Sequence, residues 1–292
     1  MFEEKKREDR MPLGKQLLYQ AVCLFIALTV LYPVAWIVGM SINGRNEYRP
    51  RDIIPPLEYM SLEAYGRVLT EPTANPVSFL ELARNSLMLS TGVALAAMLF
   101  GVSAAYVLSR FEFQGRRILM MAFIGVLMLP SIATIAPLFV LLNRISFSLR
   151  NSLFGVGLAM TSTALPFAIW NLKGYLDTIP KDLSDAALID GANFNQTFIH
   201  IILPLARPAL VVTFFLSFLT GWTEFALSWQ FLTNPKNFTL AMSLWNMTGQ
   251  FSGDTPWSVF AAMSLMVSLP VAIIYLAFQR QLVSGLTLGA TK

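Results

Sequence analysis

The sequence predicts an all-α integral membrane protein with six transmembrane helices, and three observations carry that prediction. Of 292 residues, 55% are hydrophobic and only 13% charged, whereas a soluble domain has about a quarter of its residues charged. Mean hydropathy is +0.58. Uncharged stretches long enough to cross a bilayer core of about 30 Å recur along the chain, separated by polar turns.

The same totals remove whole classes of function. One cysteine, Cys23, and one histidine, His200, leave no internal disulfide and no Cys/His metal site. The formal charge of +4 and the pI near 9.3 come from scattered lysines and arginines that are not interleaved with exposed aromatics. That pattern fits lipid headgroups and topology better than nucleic acid. No GxxxxGK[ST], HExxH, GxSxG or GxGxxG occurs. The chain therefore lacks a phosphate loop with which to hydrolyse ATP itself, and the usual nucleophile and metal constellations have no parts to use.

Residues 1–15 are charged and polar and read as a cytoplasmic tail. Residues 16–44 carry no charge and read as a retained first span kinked at Pro33, because a cleaved signal peptide has a shorter apolar region. Residues 45–84 hold five prolines and mixed charges. They form an extracytoplasmic loop with a short helix around 61–69. The core, 85–280, holds the remaining five spans. The second, 85–109, ends in the turn RFEFQGRR, whose three arginines favour the cytoplasm. The third, 118–143, contains Pro130 and Pro137 and is expected to be one bent helix facing other helices or a pathway. The fourth covers 151–172 with a kink at Pro166, the fifth 205–229 and the sixth 257–279. A polar, turn-rich outer loop, 234–256, lies between the last two, and 281–292 is a cytoplasmic tail. With both termini inside, thirteen of 21 lysines and arginines are cytoplasmic. Arg144 and Arg150, between spans three and four, run against this bias.

Residues 173–207 interrupt the apolar pattern and fall on the cytoplasmic side. Asp177 or Thr178 can cap a helix beginning near Pro180, in which Leu183, Ala186, Ala187 and Asp190 share one face. Gly191 suits the left-handed residue that ends a helix, and Asn193 can cap a second segment carrying Phe194, Phe198 and Ile201. Two alanines let another surface approach, and acidic neighbours offer charge to a basic partner. A plain connector made of capped helices is the other reading.

Carboxylates are nearly absent from the spans. The exception is Glu224 in GWTEF, placed in the outer half of span five with Trp222 beside it. An ionisable group in a span marks a functional site by default; a carboxylate at the headgroups or held by a neighbouring helix is the alternative, and is favoured here. Asn171, Trp222 and Glu224 are the candidate residues of a translocation path. Polar and aromatic side chains of this kind suit sugar recognition and ordinary helix packing alike.

The stretch DAALIDGANFNQTFIHIILPLARP resembles the cytoplasmic loop of the membrane subunits of binding-protein-dependent ABC importers. The matching residues are Asp185, Ala186, Ala187, Gly191, Leu203 and Pro204, with Asp190 and Ala192 fitting the carbohydrate-uptake group. Asp185 departs from the family's glutamate and is one methylene shorter. RNSL (84–87), AYVLSRFEFQGRR (105–117), LKGYLDTIP (172–180), GWTEF and the terminal QRQLVSGLTLGATK are similar to the same group, in the same order. The six-span count matches the smaller membrane subunit of the maltose-type importer.

The resemblance implies the type I ABC importer transmembrane fold, in a bacterial or archaeal cytoplasmic membrane. It implies a permease that pairs with a second homologous membrane subunit and sits on a dimer of cytoplasmic ATPases, which bind the ATP and magnesium. Substrate arrives from an extracytoplasmic sugar-binding protein. The helices around Gly191 become coupling helices, residues 285–292 reach the ATPases, and 234–256 contact the binding protein. The implied substrate is a di- or oligosaccharide of the maltose or trehalose type. Glycerol phosphate or a related polar solute is the alternative within the class, and an ion-coupled secondary transporter the alternative outside it.

Overall fold

A computed structural model describes residues 12–248 and 255–290. In chain order its helices are α1 (Leu13–Ser41), α2 (Glu63–Thr70), α3 (Phe79–Arg110), α4 (Arg116–Leu127), α5 (Ser131–Ile145), α6 (Phe147–Arg150) and α7 (Leu153–Leu176). They continue as α8 (Asp182–Ile189), α9 (Phe194–Leu205), α10 (Arg207–Thr223), α11 (Ala226–Phe231), α12 (Leu240–Asn246) and α13 (Trp257–Ala290). Among the described residues the only β pairing is an isolated bridge between Asn43 and Met60.

Four helices, α1, α3, α7 and the 257–281 part of α13, are long and apolar enough to span a membrane; two bent pairs, α4–α5 and α9–α10, bring the number to as many as six. α3 is the centre of the bundle, packing most extensively on α7 and α10, while α10 also lies on α13. Leu82, Val93, Met160, Phe218 and Met263 are fully buried where these helices meet. Small residues allow that approach: a Cβ on Gly221 of α10 would sit 2.6 Å from the Ser90 Cα of α3. Between membrane helices, where lipid tails are as apolar as leucine, close backbone contact supplies the packing energy.

A second cluster of Val102, Ala105, Tyr106, Leu172, Leu176, Ile202 and Ala206 closes the end of the bundle where residues 177–206 lie, called here the hairpin end. α1 stands apart. None of its most apolar 18-residue window is buried, so this face is uncovered within the single chain. It meets α13, and Ser41 Oγ lies 2.8 Å from the Tyr65 hydroxyl of α2.

Two expected spans are corrected. The third is not one bent helix: α4 and α5 meet at 102°. Pro130, extended at φ −58° and ψ 127°, has no N–H to continue the ladder and starts a new helix instead of bending the old one. The fifth ends at Thr223, six residues early, because Glu224 adopts ψ 125° and α11 begins as a separate helix. Elsewhere α1 and α7 run unbroken through Pro33 and Pro166. The short helix expected over 61–69 forms at Glu63–Thr70. The tail expected from 281 is helical to Ala290; residues 1–11, 249–254 and 291–292 of the expected tails and outer loop lie outside the described residues.

Arg150, which opposed the charge bias, is 5% exposed. Its guanidinium lies 4.6 Å and 4.7 Å from the ring centres of Phe139 and Phe147. Its Nη1 donates to the Phe231 carbonyl at 3.2 Å and the Gln230 carbonyl at 3.4 Å. Those are the last carbonyls of α11, which lack helical partners and carry the negative end of the dipole. Arg150 is thus a structural cation and reports nothing about topology.

Candidate functional site

The residues singled out between 173 and 207 form a helical hairpin. α8 ends in a complete Schellman arrangement: Gly191 N–H donates to Leu188 O at 3.1 Å, Ala192 N–H to Ala187 O at 2.9 Å, and Gly191 takes φ +90°. The second arm opens with a reciprocal capping box. Asn193 Oδ1 accepts from Gln196 N–H and Gln196 Oε1 accepts from Asn193 N–H, both at 2.9 Å. Within α9, Phe198–Ile202 is a π-turn, with the Leu203 N–H reaching the Phe198 carbonyl. Pro204 follows at once; its ring cannot sit against the carbonyl four residues back, and the widened turn relieves that clash. The chain then bends by 75° into α10.

The entry to α8 differs from expectation. α7 continues past Leu172 to Leu176, so Asp177 sits at the end of α7, α8 starts at Asp182, and its cap position, Lys181, has no side-chain capping bond. Asp177 Oδ1 accepts from Ser109 Oγ at 2.8 Å, and its Oδ2 lies 2.5 Å from Lys173 Nζ. Thr178 Oγ1 turns back to the Tyr175 carbonyl.

The hairpin has two unlike sides. Ser184, Ala187 and Thr197 are buried against the bundle. Leu183, Asp185, Ala186 and Asp190, and the apolar Ile189 and Phe194 beside the turn, are exposed, Ile189 at 86%. The predicted shared face therefore divides, with Ala187 turned inward and Leu183, Ala186 and Asp190 outward. Among the described residues the carboxylates of Asp182, Asp185 and Asp190 make no hydrogen bond or ion pair. Ala192 and Leu203 are half-buried and Pro204 is exposed.

The base of the hairpin is aromatic. Tyr106 lies 4.7 Å from Phe198 and 6.0 Å from Phe111, and Phe111 lies 5.2 Å from Phe194, measured between ring centres. Arg110 Nη2 donates to Ile179 O at 3.0 Å, and Lys181 approaches Glu112 at 3.9 Å. Sequence reasoning noted the stretch 105–117 but assigned it no role here. Its signal was the aromatic spacing Tyr106, Phe111 and Phe113 beside a helix end.

The three path candidates are engaged within the chain. Asn171 Nδ2 donates to Thr213 Oγ1 at 2.9 Å. Trp222 is 2% exposed, stacks on Phe218 at 5.5 Å and donates through Nε1 to the Val267 carbonyl at 3.1 Å. Glu224 accepts from the Leu227 and Ser228 amides at 2.6 and 3.1 Å, and from Ser228 Oγ at 3.2 Å. This is a carboxylate at the positive end of α11. Glu224→Gln is expected to alter stability only mildly, since one acceptor remains, whereas Glu224→Leu should cost about 1 kcal/mol, the ordinary worth of a helix cap. Thermal unfolding checks this; a loss from Glu224→Gln as large as that from Glu224→Leu would overturn it.

Comparison with known proteins converges on one family. The model for the inner membrane component of binding-protein-dependent transport systems matches residues 97–287. The chain is 32% identical to the galactooligosaccharide transport permease GanQ of Bacillus subtilis, over 92% of each chain. It is 33% identical to the trehalose/maltose permease MalG of Thermococcus litoralis, over 95% of this chain and 97% of that one. The maltose/maltodextrin permease MalG of Escherichia coli is 29% identical over 100% and 99%. Among solved structures, a chain of a bacterial ABC transporter involved in importing the acidic polysaccharide alginate superimposes with TM-score 0.75 and 25% identity, covering 93% of this chain and 98% of that one.

Proposed function

The chain belongs to the family of inner membrane components of binding-protein-dependent transport systems, and from that premise we propose that it is the permease subunit of an ATP-driven importer for a di- or oligosaccharide. Relatives named for galactooligosaccharides, trehalose and maltose support the substrate class. The hairpin end faces the cytoplasm in this reading, and both termini lie on that side. A separate ATPase dimer binds ATP and magnesium, and a second homologous permease covers the apolar face left open on α1. A sugar-binding protein docks at the opposite end.

The observation that carries the reading is the hairpin α8–α9. Exposed Ile189 and Phe194 and three free carboxylates surround a turn fixed by its own caps, and an aromatic base ties that turn to the spans. An apolar knob with an acidic rim, held rigidly on a polar loop, suits a cleft in a partner with a basic margin. Binding of ATP by the partner moves the knob, and the spans tied to it follow. Transport by alternating access is then a population shift driven by the differential affinity of the ATPase surface for two arrangements. Glu224, Trp222 and Asn171 support those arrangements from within the subunit.

The test is purification of the intact complex with identification of its subunits and bound solute, followed by uptake into vesicles. Uptake requiring ATP and the binding protein, with the sugar recovered unmodified, is the expected result. Uptake driven by an ion gradient without an ATPase would overturn the proposal.

A further inference from the structure

The motif RNSL has no part in the hairpin, yet the structure gives its two central residues long-range bonds. Asn85, 2% exposed, donates both amide hydrogens of its side chain: to Lys236 O at 2.7 Å and to Phe238 O at 3.0 Å. Ser86, 1% exposed, accepts at Oγ from the Leu240 amide at 2.8 Å. These are the first turns of α3, and their partners lie in the loop between α11 and α12 and at the first residue of α12.

The other end of α3 is tied as firmly to a different segment. Ser109, 2% exposed, bonds Asp177, and Arg110 bonds the Ile179 carbonyl. The Asp177 contact runs against local preference. A carboxylate at a helix C-terminus faces the negative end of the dipole, and a lysine four residues before an aspartate is the weaker order for a helical pair. Local stability does not account for an acid here, whereas the reach across to α3 does. The charged groups around it are Lys173 on its own helix, Arg110 on α3, and the Glu112–Lys181 pair beyond.

We propose that α3 is a transmission strut, with Asn85 and Asp177 as its positioning residues. Its 32 residues span about 48 Å as a straight helix. One end clamps the loop that the proposed function turns toward the binding protein, and the other clamps the root of the hairpin turned toward the ATPases. Docking of the binding protein displaces Lys236–Leu240, α3 moves with that loop, and Asp177 carries the displacement into the hairpin. The inference rests on the proposed function and adds the route by which one face of the subunit informs the other.

The experiment uses the assembled complex in lipid nanodiscs and compares ATP turnover with and without the sugar-loaded binding protein. Asn85→Leu removes both donors at similar size, and Asp177→Ala removes the acceptor on which Ser109 Oγ rests. Each is expected to lower the stimulation ratio by about fivefold or more, the lower range of ordinary coupling energies. Asn85→Leu should leave the unstimulated rate unchanged. The double variant should be no worse than the poorer single one, since cutting one strut twice does not add. Purely structural damage would instead lower both rates together. If Asn85→Leu fails to assemble, Ser86→Ala removes only the bond to Leu240 and reads the same ratio. Wild-type ratios in the single variants, or additive losses in the double, overturn the strut alone. A wild-type complex that no sugar-loaded binding protein stimulates overturns the proposed function and the strut with it.

Discussion

Gly191→Pro is expected to abolish uptake while leaving the chain in the membrane at its normal level. Gly191 holds φ +90° and donates to Leu188 O. Proline fixes φ near −65° and has no N–H, so it can adopt neither the angle nor the bond. The Ala192–Ala187 bond is lost with it, and the two arms of the hairpin separate. The spans should persist, because no heavy atom lies within 4 Å of where a Gly191 Cβ would be and nothing in the bundle leans on the position. That open space makes a graded series informative. Gly191→Ala meets no clash and suffers only the left-handed penalty of roughly 1–2 kcal/mol. Gly191→Asn suffers less, since asparagine tolerates that region. Uptake should fall in the order Gly, Asn, Ala, Pro. Normal sugar-stimulated ATP turnover from the proline variant would sink the coupling role of the hairpin. Asp185→Arg belongs to the same test. Its carboxylate is exposed and unpaired, and reversing charge in the first turn of α8 costs only about 0.3–1 kcal/mol through the helix dipole. A near-complete loss of uptake must then come from the partner.

The hairpin was legible in the sequence because its determinants are local. A glycine suited to the left-handed conformation and an asparagine cap act within a few residues, and both stand where the residues alone put them. The span breaks were harder, because apolar composition continues across them. Hydropathy integrates over a window and does not register that the chain turns by 102° between Leu127 and Ser131. Glu224 illustrates the same limit. As a lone acid in an apolar run it resembles an intramembrane charge, yet it serves as the first acceptor of a new helix. Arg150 resembled a topology signal and is a cap for the other end of that helix. One short helix thus absorbs both anomalous charges, a pairing across more than 70 residues that no local pattern encodes. The ties of Asn85, Ser109 and Asp177 are likewise long-range. RNSL and AYVLSRFEFQGRR were visible as motifs, but their partners became apparent only from the packing of α3.

Ile189→Lys is expected to detach the ATPases while leaving the permease folded. Ile189 is 86% exposed, so its replacement removes almost no contact inside the chain, and surface changes of this kind usually fall within about 0.5 kcal/mol. Lysine also favours the site locally, because a cation in the last turn of α8 complements the negative end of its dipole. Any damage therefore reflects what covers Ile189 in the assembly. Fully burying an isoleucine is worth about 1.5–3 kcal/mol, and a lysine forced into the same apolar cleft adds the cost of desolvating its charge. Together these should exceed about 3 kcal/mol, more than a hundredfold in affinity. The ATPases should no longer co-purify, whereas the second membrane subunit should remain bound. Ala187 sits two positions away on the buried side, and Ala187→Lys should fail differently, by displacing the hairpin from the bundle and lowering the thermal stability of the permease itself. If Ile189→Lys retains its ATPases at the wild-type level, the exposed rim of the hairpin is not the docking surface. The contact would then have to lie on residues of α8–α9 away from the turn.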